Sequence, residues 1–112
     1  MTIMYVTYAG NADTPFDREH WINVHFPLVR ECWGPYGLER LAGFFPQGDG
    51  GGLIAIATCV FRDEAAMEAA LASPETERVM ADVDLVTAVK PQRSLASPLG
   101  GGNATAVNSA KG

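Results

Sequence analysis

Leu53-Ile54-Ala55-Ile56-Ala57-Thr58-Cys59-Val60-Phe61 is almost wholly apolar and rich in β-branched residues, with none of the polar alternation of a strand that has one face in water. It reads as a strand buried on both faces. The preceding Gly48-Asp49-Gly50-Gly51-Gly52 is a loop tip, so residues 37–46 become the other arm of a hairpin. Upstream, residues 2–8 (Thr-Ile-Met-Tyr-Val-Thr-Tyr) form a strand ending at Ala9-Gly10-Asn11. Thr14 as N-cap, Pro15 at the first helical position and Asp17 three residues after the cap predict a helix running to about Trp33, where Gly34-Pro35 stops it. Downstream, Asp63 caps a helix over 64–72. Ser73-Pro74 opens a second short helix to about Ala81, and residues 84–93 read as a last strand with Pro91 at its edge or end. After Ser94 the chain turns to Gly, Ala, Ser and Asn, the composition of a flexible tail.

The resulting order, β-α-β-β-α-α-β, is the split βαβ arrangement: an α+β, ferredoxin-like βαββαβ fold whose four-stranded antiparallel sheet carries its helices on one face only. A strand with no solvated side cannot leave the other face in water, and a second copy of the chain is the simplest cover. The 112 residues suffice for one domain, expected over 1–95 with a tail over 96–112.

Composition narrows the partners. With 47% hydrophobic and 19% charged residues the chain is neither disordered nor a coiled coil. Its net charge of −5 and scattered basic residues argue against nucleic acid and against an anionic membrane. No apolar run approaches the roughly 20 residues of a membrane span, and Met1-Thr2-Ile3-Met4 lacks a signal peptide's charged start, so a cytoplasmic location is expected. Cys32 and Cys59 belong to no CxxC pair and read as core fillers. Asp82 and Asp84 read as exposed residues at a helix end and strand start. The glycine run lacks the flanking residues of a phosphate loop.

The first helix carries the chemistry. At about 100° per residue, His25 lies at the centre of an apolar face shared with Trp21, Leu28, Val29 and Cys32, while Glu19, His20, Asn23, Arg30 and Glu31 lie opposite. A buried imidazole is expected neutral, with one donor and one acceptor to satisfy. Either it is a core histidine bonded to a backbone carbonyl or a tyrosine, or it projects into a cavity as a general base or anchor. Pro27 removes a helical hydrogen bond beside it. His20 and His25 stand roughly 140° apart on this wheel and no carboxylate on the helix completes a set, so no metal or other cofactor is expected. Tyr8, Trp21, Trp33 and Tyr36 are the candidate walls of a substrate pocket, with the small side chains of Ala55, Ala57 and Cys59 leaving volume opposite them.

The stretch from Phe16-Asp17 to Tyr36-Gly37-Leu38, and above all Trp21-Ile22-Asn23-Val24-His25-Phe26-Pro27-Leu28-Val29, resembles the EthD family, named for ethyl tert-butyl ether degradation. The opening strand ending in Tyr8 and Met80-Ala81-Asp82 add to the resemblance, which covers residues 2 to about 95. It implies a dimeric α+β barrel in which two ferredoxin-like sheets pack as a homodimer, with a pocket between sheet and helices where His25 points. It implies no single reaction. Three functions compete: a small enzyme moving a proton on, cyclising or oxygenating an apolar or aromatic metabolite through His25; a non-catalytic carrier or accessory protein of a degradation pathway; and haem handling, against which Asn23 counts by lying on the polar side of the helix.

Overall fold

The computed structural model describes residues 1–48 and 50–96. Strand β1 (Thr2–Ala9) leads through a turn into helix α1, which is built of three pieces: an α-turn Arg18–His20, a π turn Trp21–His25 and an α-helical stretch Phe26–Trp33. A 3-10 turn (Gly34–Tyr36) connects to β2 (Leu38–Phe44), and β3 (Leu53–Phe61) follows the glycine-rich tip, of which Asp49 lies outside the described residues. Helices α2 (Glu64–Ala72) and α3 (Glu75–Val86) precede β4 (Gln92–Ala96). The strands form one antiparallel sheet in the order β2-β3-β1-β4, the ferredoxin-like arrangement, with helices on one face. Among the described residues no helix is long and apolar enough to cross a membrane.

Three boundaries differ from those the sequence predicts. Helix α1 begins at Arg18 rather than Pro15, because the preceding backbone is committed elsewhere. The Asp17 N–H donates to the Val86 carbonyl at 2.9 Å, and the Thr87 hydroxyl donates to the Pro15 carbonyl at 2.9 Å. Asp17 is the N-cap, accepting from the His20 N–H at 3.0 Å, while Thr14 instead accepts from the Asn11 N–H. Helix α3 continues to Val86 rather than ending near Ala81, since Val79, Val83 and Val86 form one buried helical stripe. The last strand is accordingly 92–96, not 84–93, and Pro91 precedes it. Of the expected tail, Ala96 ends β4 and residues 97–112 lie outside the described residues.

The inner sheet face is made by Met4 and Tyr8 of β1 and by Ala55, Ala57, Cys59 and Phe61 of β3, all buried. Two apolar clusters form beneath the helices. Met4, Val29, Cys32, Trp33, Cys59, Phe61, Met67, Ala70 and Val79 make one; Tyr8, Trp21, Phe26, Ala55, Ala57, Val83 and Val86 make the other. The outer face is apolar yet open: Ile3, Ile56 and Thr58 are half-buried, Tyr5 is exposed and Phe44 is 51% exposed.

Gly43 on β2 fixes how closely α1 approaches. A Cβ there would lie 2.7 Å from Phe26 Cζ and 3.0 Å from Trp21 Cζ3. Gly43→Ala is therefore expected to destabilise the fold by about 1–3 kcal/mol through overpacking. Gly34→Ala, at helical φ −54° and ψ −47° with nothing outside its chain neighbours within 4 Å of the new Cβ, restricts the unfolded chain but sets that Cβ against the Pro35 ring in the helical region, so its net effect should stay within about 0.5 kcal/mol. Urea denaturation of the two variants checks both.

Candidate functional site

Pro27 shapes the site. Its ring has no N–H to donate and would collide with the Asn23 carbonyl in a regular α-helix. The chain relieves this with the π turn, in which the Phe26 N–H reaches back to the Trp21 carbonyl, an i→i+5 bond. Residues five apart across such a turn stand over one another, so His20 and His25 share a side of α1 instead of lying opposite. The straight wheel therefore misplaces His20.

Both histidines meet one carboxylate. His25 Nδ1 lies 2.9 Å from Asp82 Oδ2, and His20 Nε2 lies 3.0 Å from Asp82 Oδ1. Asp82 comes from the middle of α3 and is not the exposed helix-end residue the sequence predicts: its side chain is only 12% exposed, against 6% for His25 and 21% for His20. Burial would raise the Asp82 carboxyl, but hydrogen bonds from His20 and then His25 outweigh it and hold the group below the usual carboxylate range. An ionised carboxylate only accepts, so His20 Nε2 and His25 Nδ1 each donate an N–H to it. Burial pulls the His25 imidazole below its ordinary value, and the hydrogen bond and charge of Asp82 oppose this without reversing it. The resting state is a neutral imidazole protonated on Nδ1, with no partner for its Nε2 lone pair among the described residues.

His25 lines a cavity of about 340 Å³ between the sheet, α1 and α3. Residues of both apolar clusters form its wall, including Met4, Tyr8, Trp21, Trp33, Ala57, Cys59, Val79 and Val83, and Arg93 of β4 lines it as well. Of the residues the sequence singles out, the structure brings Tyr8, Trp21, His25 and Trp33 to this cavity. Tyr36 is not among its walls; it sits in the 3-10 turn after α1, packed against the cluster around Met4 and Phe61. Trp21 is the hub of an aromatic box, its ring centroid 4.7 Å from that of Phe26, 5.3 Å from Phe16 and Phe45, and 5.8 Å from Tyr8. The Trp33 indole donates to Thr76 Oγ1 at 3.0 Å, and that hydroxyl in turn donates to the Ala70 carbonyl. Burial pushes the Cys59 thiol up to about 12, which keeps it protonated and a poor nucleophile. Asn23 is exposed on the far side of α1. Among the described residues no group of three or more His, Cys, Asp or Glu is arranged to hold a metal ion.

The chain matches the EthD domain over residues 11–85, a span that contains His20, His25 and Asp82. It belongs to the EthD family. Its fold is similar to that of an EthD-like protein from Ralstonia eutropha JMP134 (TM-score 0.72, 15% identity, covering 85% of this chain and 89% of that one). An ethyl tert-butyl ether degradation family protein from Bacillus halodurans C-125 aligns with a TM-score of 0.64 at 18% identity, covering 84% and 96%. A variant of SnoaB, a cofactor-independent oxygenase from Streptomyces nogalater, aligns at 0.59 and 14% identity, covering 88% and 92%. No curated protein matches the sequence. This EthD chain thus has the α+β architecture of those structures, with the His–Asp–His group seated beside its cavity.

The linkage sign is the same for both partners. His25 titrates lower folded than unfolded, so its contribution to stability is complete above the unfolded value near pH 6.5 and is lost as pH falls through the folded value. Asp82 is also depressed, and its contribution is lost at still lower pH. The melting temperature is expected to drop between pH 7.5 and pH 5, and His25→Gln, which cannot titrate, should flatten that slope. Asp82→Ala, which strands the His25 Nδ1–H, is expected to cost about 1–3 kcal/mol at neutral pH. Calorimetry across the pH series checks both.

Proposed function

We propose that this EthD protein binds an apolar, ring-bearing metabolite in the cavity between sheet and helices and that His25 moves a proton on it. The observation that carries the reading is the orientation of His25: Asp82 takes its Nδ1–H, which leaves a basic Nε2 on a buried ring that lines the cavity. Asp82 would steady the imidazolium formed when Nε2 accepts a proton, and His20 would keep that carboxylate ionised and aligned. Tyr8, Trp21 and Trp33 supply the walls against which a ring stacks. The reaction needs no donor beyond these side chains.

Incubating the protein in D2O with a library of ring-containing metabolites, and following loss of C–H signals by NMR, tests this. Exchange is expected in at least one compound that also raises the melting temperature, and His25→Gln should slow it by at least about 100-fold. Exchange unaffected by that change removes His25 from the chemistry. Ligands that stabilise the protein without any exchange favour a carrier.

The functional unit is, in the same reading, a homodimer with the open outer faces of two sheets packed together. The support is the apolar patch of Ile3, Tyr5, Phe44, Ile56 and Thr58, which a lone protomer leaves in contact with water. Light scattering should give about twice the 11.9 kDa chain mass, and Ile56→Arg, a charge at the centre of that face, should reduce it to one. A single-chain mass for the unaltered protein overturns this part.

A further inference from the structure

The exposure and the charge of the cavity are both concentrated at one end. The antiparallel register sets Arg93 of β4 opposite Val6 of β1, and Leu95 opposite Met4. Directly opposed residues share a sheet face, so Arg93 and Leu95 stand on the side that carries the helices, next to the inward residues of β1. Both remain open to solvent, Leu95 at 57% exposure, and Met80 of α3, which lines the cavity as well, is 42% exposed. The mouth therefore lies between α3 and β4. Arg93 is on its rim, while His25 is buried at the inner end. Arg93 is also the one residue with a fixed formal charge among those that line the cavity. Arg62, Arg78 and Lys90 each meet a carboxylate, but Arg93 makes no ion pair among the described residues, although the chain has 13 acidic side chains against 8 basic ones. The inner end holds no cation, since His25 is neutral and its N–H is given to Asp82.

We propose that Arg93 is the specificity-determining residue of the cavity and that its ligands are ring-bearing monocarboxylic acids, seated with the carboxylate on the guanidinium at the rim and the ring directed inward toward His25. This rests on the binding reading above and specifies its substrate class and orientation. A guanidinium offers a planar carboxylate two parallel N–H donors. A phosphate monoester would bring a second negative charge, and no second cation lines the cavity to receive it. Placing the ion pair at the rim leaves it partly hydrated, so the ligand avoids the desolvation cost that a pair in the core would carry. The inner end disfavours the reverse pose, because a carboxylate there would face the Nε2 lone pair, one acceptor against another. With the charge held at the mouth, ring carbons rather than the carboxyl group come to the imidazole.

The probes are 2-naphthoate and 2-naphthamide, which share a ring system and nearly a shape but differ in charge. Each is titrated into the full chain by calorimetry at about pH 7.5, where naphthoate is ionised and His25 neutral. At low ionic strength naphthoate is expected to bind at least about fivefold more tightly. Salt at about 0.5 M should shrink that preference by screening the pair, with naphthamide unaffected. Arg93→Gln should abolish both the preference and its salt dependence and leave the affinity for naphthamide unchanged, while Arg93→Lys, which keeps the charge without the fork, should retain part of the preference. Because Arg93 is exposed on an edge strand, the melting temperature of both variants should match that of the unaltered protein. Equal affinity for the two probes, or a preference that survives Arg93→Gln, overturns the carboxylate seat while leaving the cavity a binding site. A preference lost in His25→Gln but kept in Arg93→Gln puts the carboxylate at the inner end and overturns it equally. If neither probe binds, the cavity reading itself fails and the seat with it.

Discussion

One carboxylate on α3 accepts an N–H from each of two histidines on α1, and the chemistry available to the protein depends on that junction. Asp82 is nearly buried, and a charge so placed is tolerable only because both oxygens are occupied by donors. In return it removes the ambiguity of His25. A neutral imidazole in an apolar wall has two tautomers; the carboxylate selects the one with the proton on Nδ1 and directs the basic nitrogen away from α3. The same junction ties the middle of α1 to the middle of α3, so the walls of the cavity are held by the group that sets the His25 tautomer. His20 is the most exposed of the three and closes the carboxylate against water.

That junction exists because α1 is not a regular helix. Pro27 forces a wider turn over Trp21–His25, and this realigns side chains five apart. Reading the helix at 100° per residue places His25 inward, since its burial is set by the apolar neighbours on both sides, but it sends His20 to the opposite face. The sequence does hold the warning: a proline two residues after a buried histidine cannot sit in an unbroken α-helix. What it does not hold is how the helix yields, whether by a kink, a break or a π turn.

The first three strands and the overall order were legible because they depend on local pattern: the β-branched run of β3, the glycine tip before it and the Asp63 cap, whose side chain accepts from the Ala66 N–H as expected. Asp82 was hidden by a boundary. Val83, Leu85 and Val86 have strand-like side chains, and alternation over 84–93 competes with the helical stripe of Val79, Val83 and Val86. Tertiary packing decides for the helix, since that stripe faces the cluster around Trp21 and Tyr8. A carboxylate at a helix end faces water; one two turns inside, on the side next to α1, can reach a histidine. Val79 and Val83, four residues apart, were the signal available, with Met80-Ala81-Asp82 between them.

The cavity follows from a mismatch of side-chain sizes across the interface of sheet and helix. The inward side of β3 is Ala55, Ala57 and Cys59, while α1 opposes it with Trp21, His25, Phe26 and Trp33. Large rings cannot interdigitate with a row of methyl groups as leucines and valines would, so the core divides into two clusters and leaves space between them. Gly43 lets Phe26 and Trp21 lie directly on β2, which anchors one end of the aromatic box while the other borders the space. The outward side of the same strand carries Ile56, Thr58 and Val60, branched residues suited to packing on another sheet. Alternate positions of one strand are thus sorted by volume, small toward the cavity and branched toward the open face. This explains why β3 shows no polar alternation although it lies in a sheet with helices on only one side.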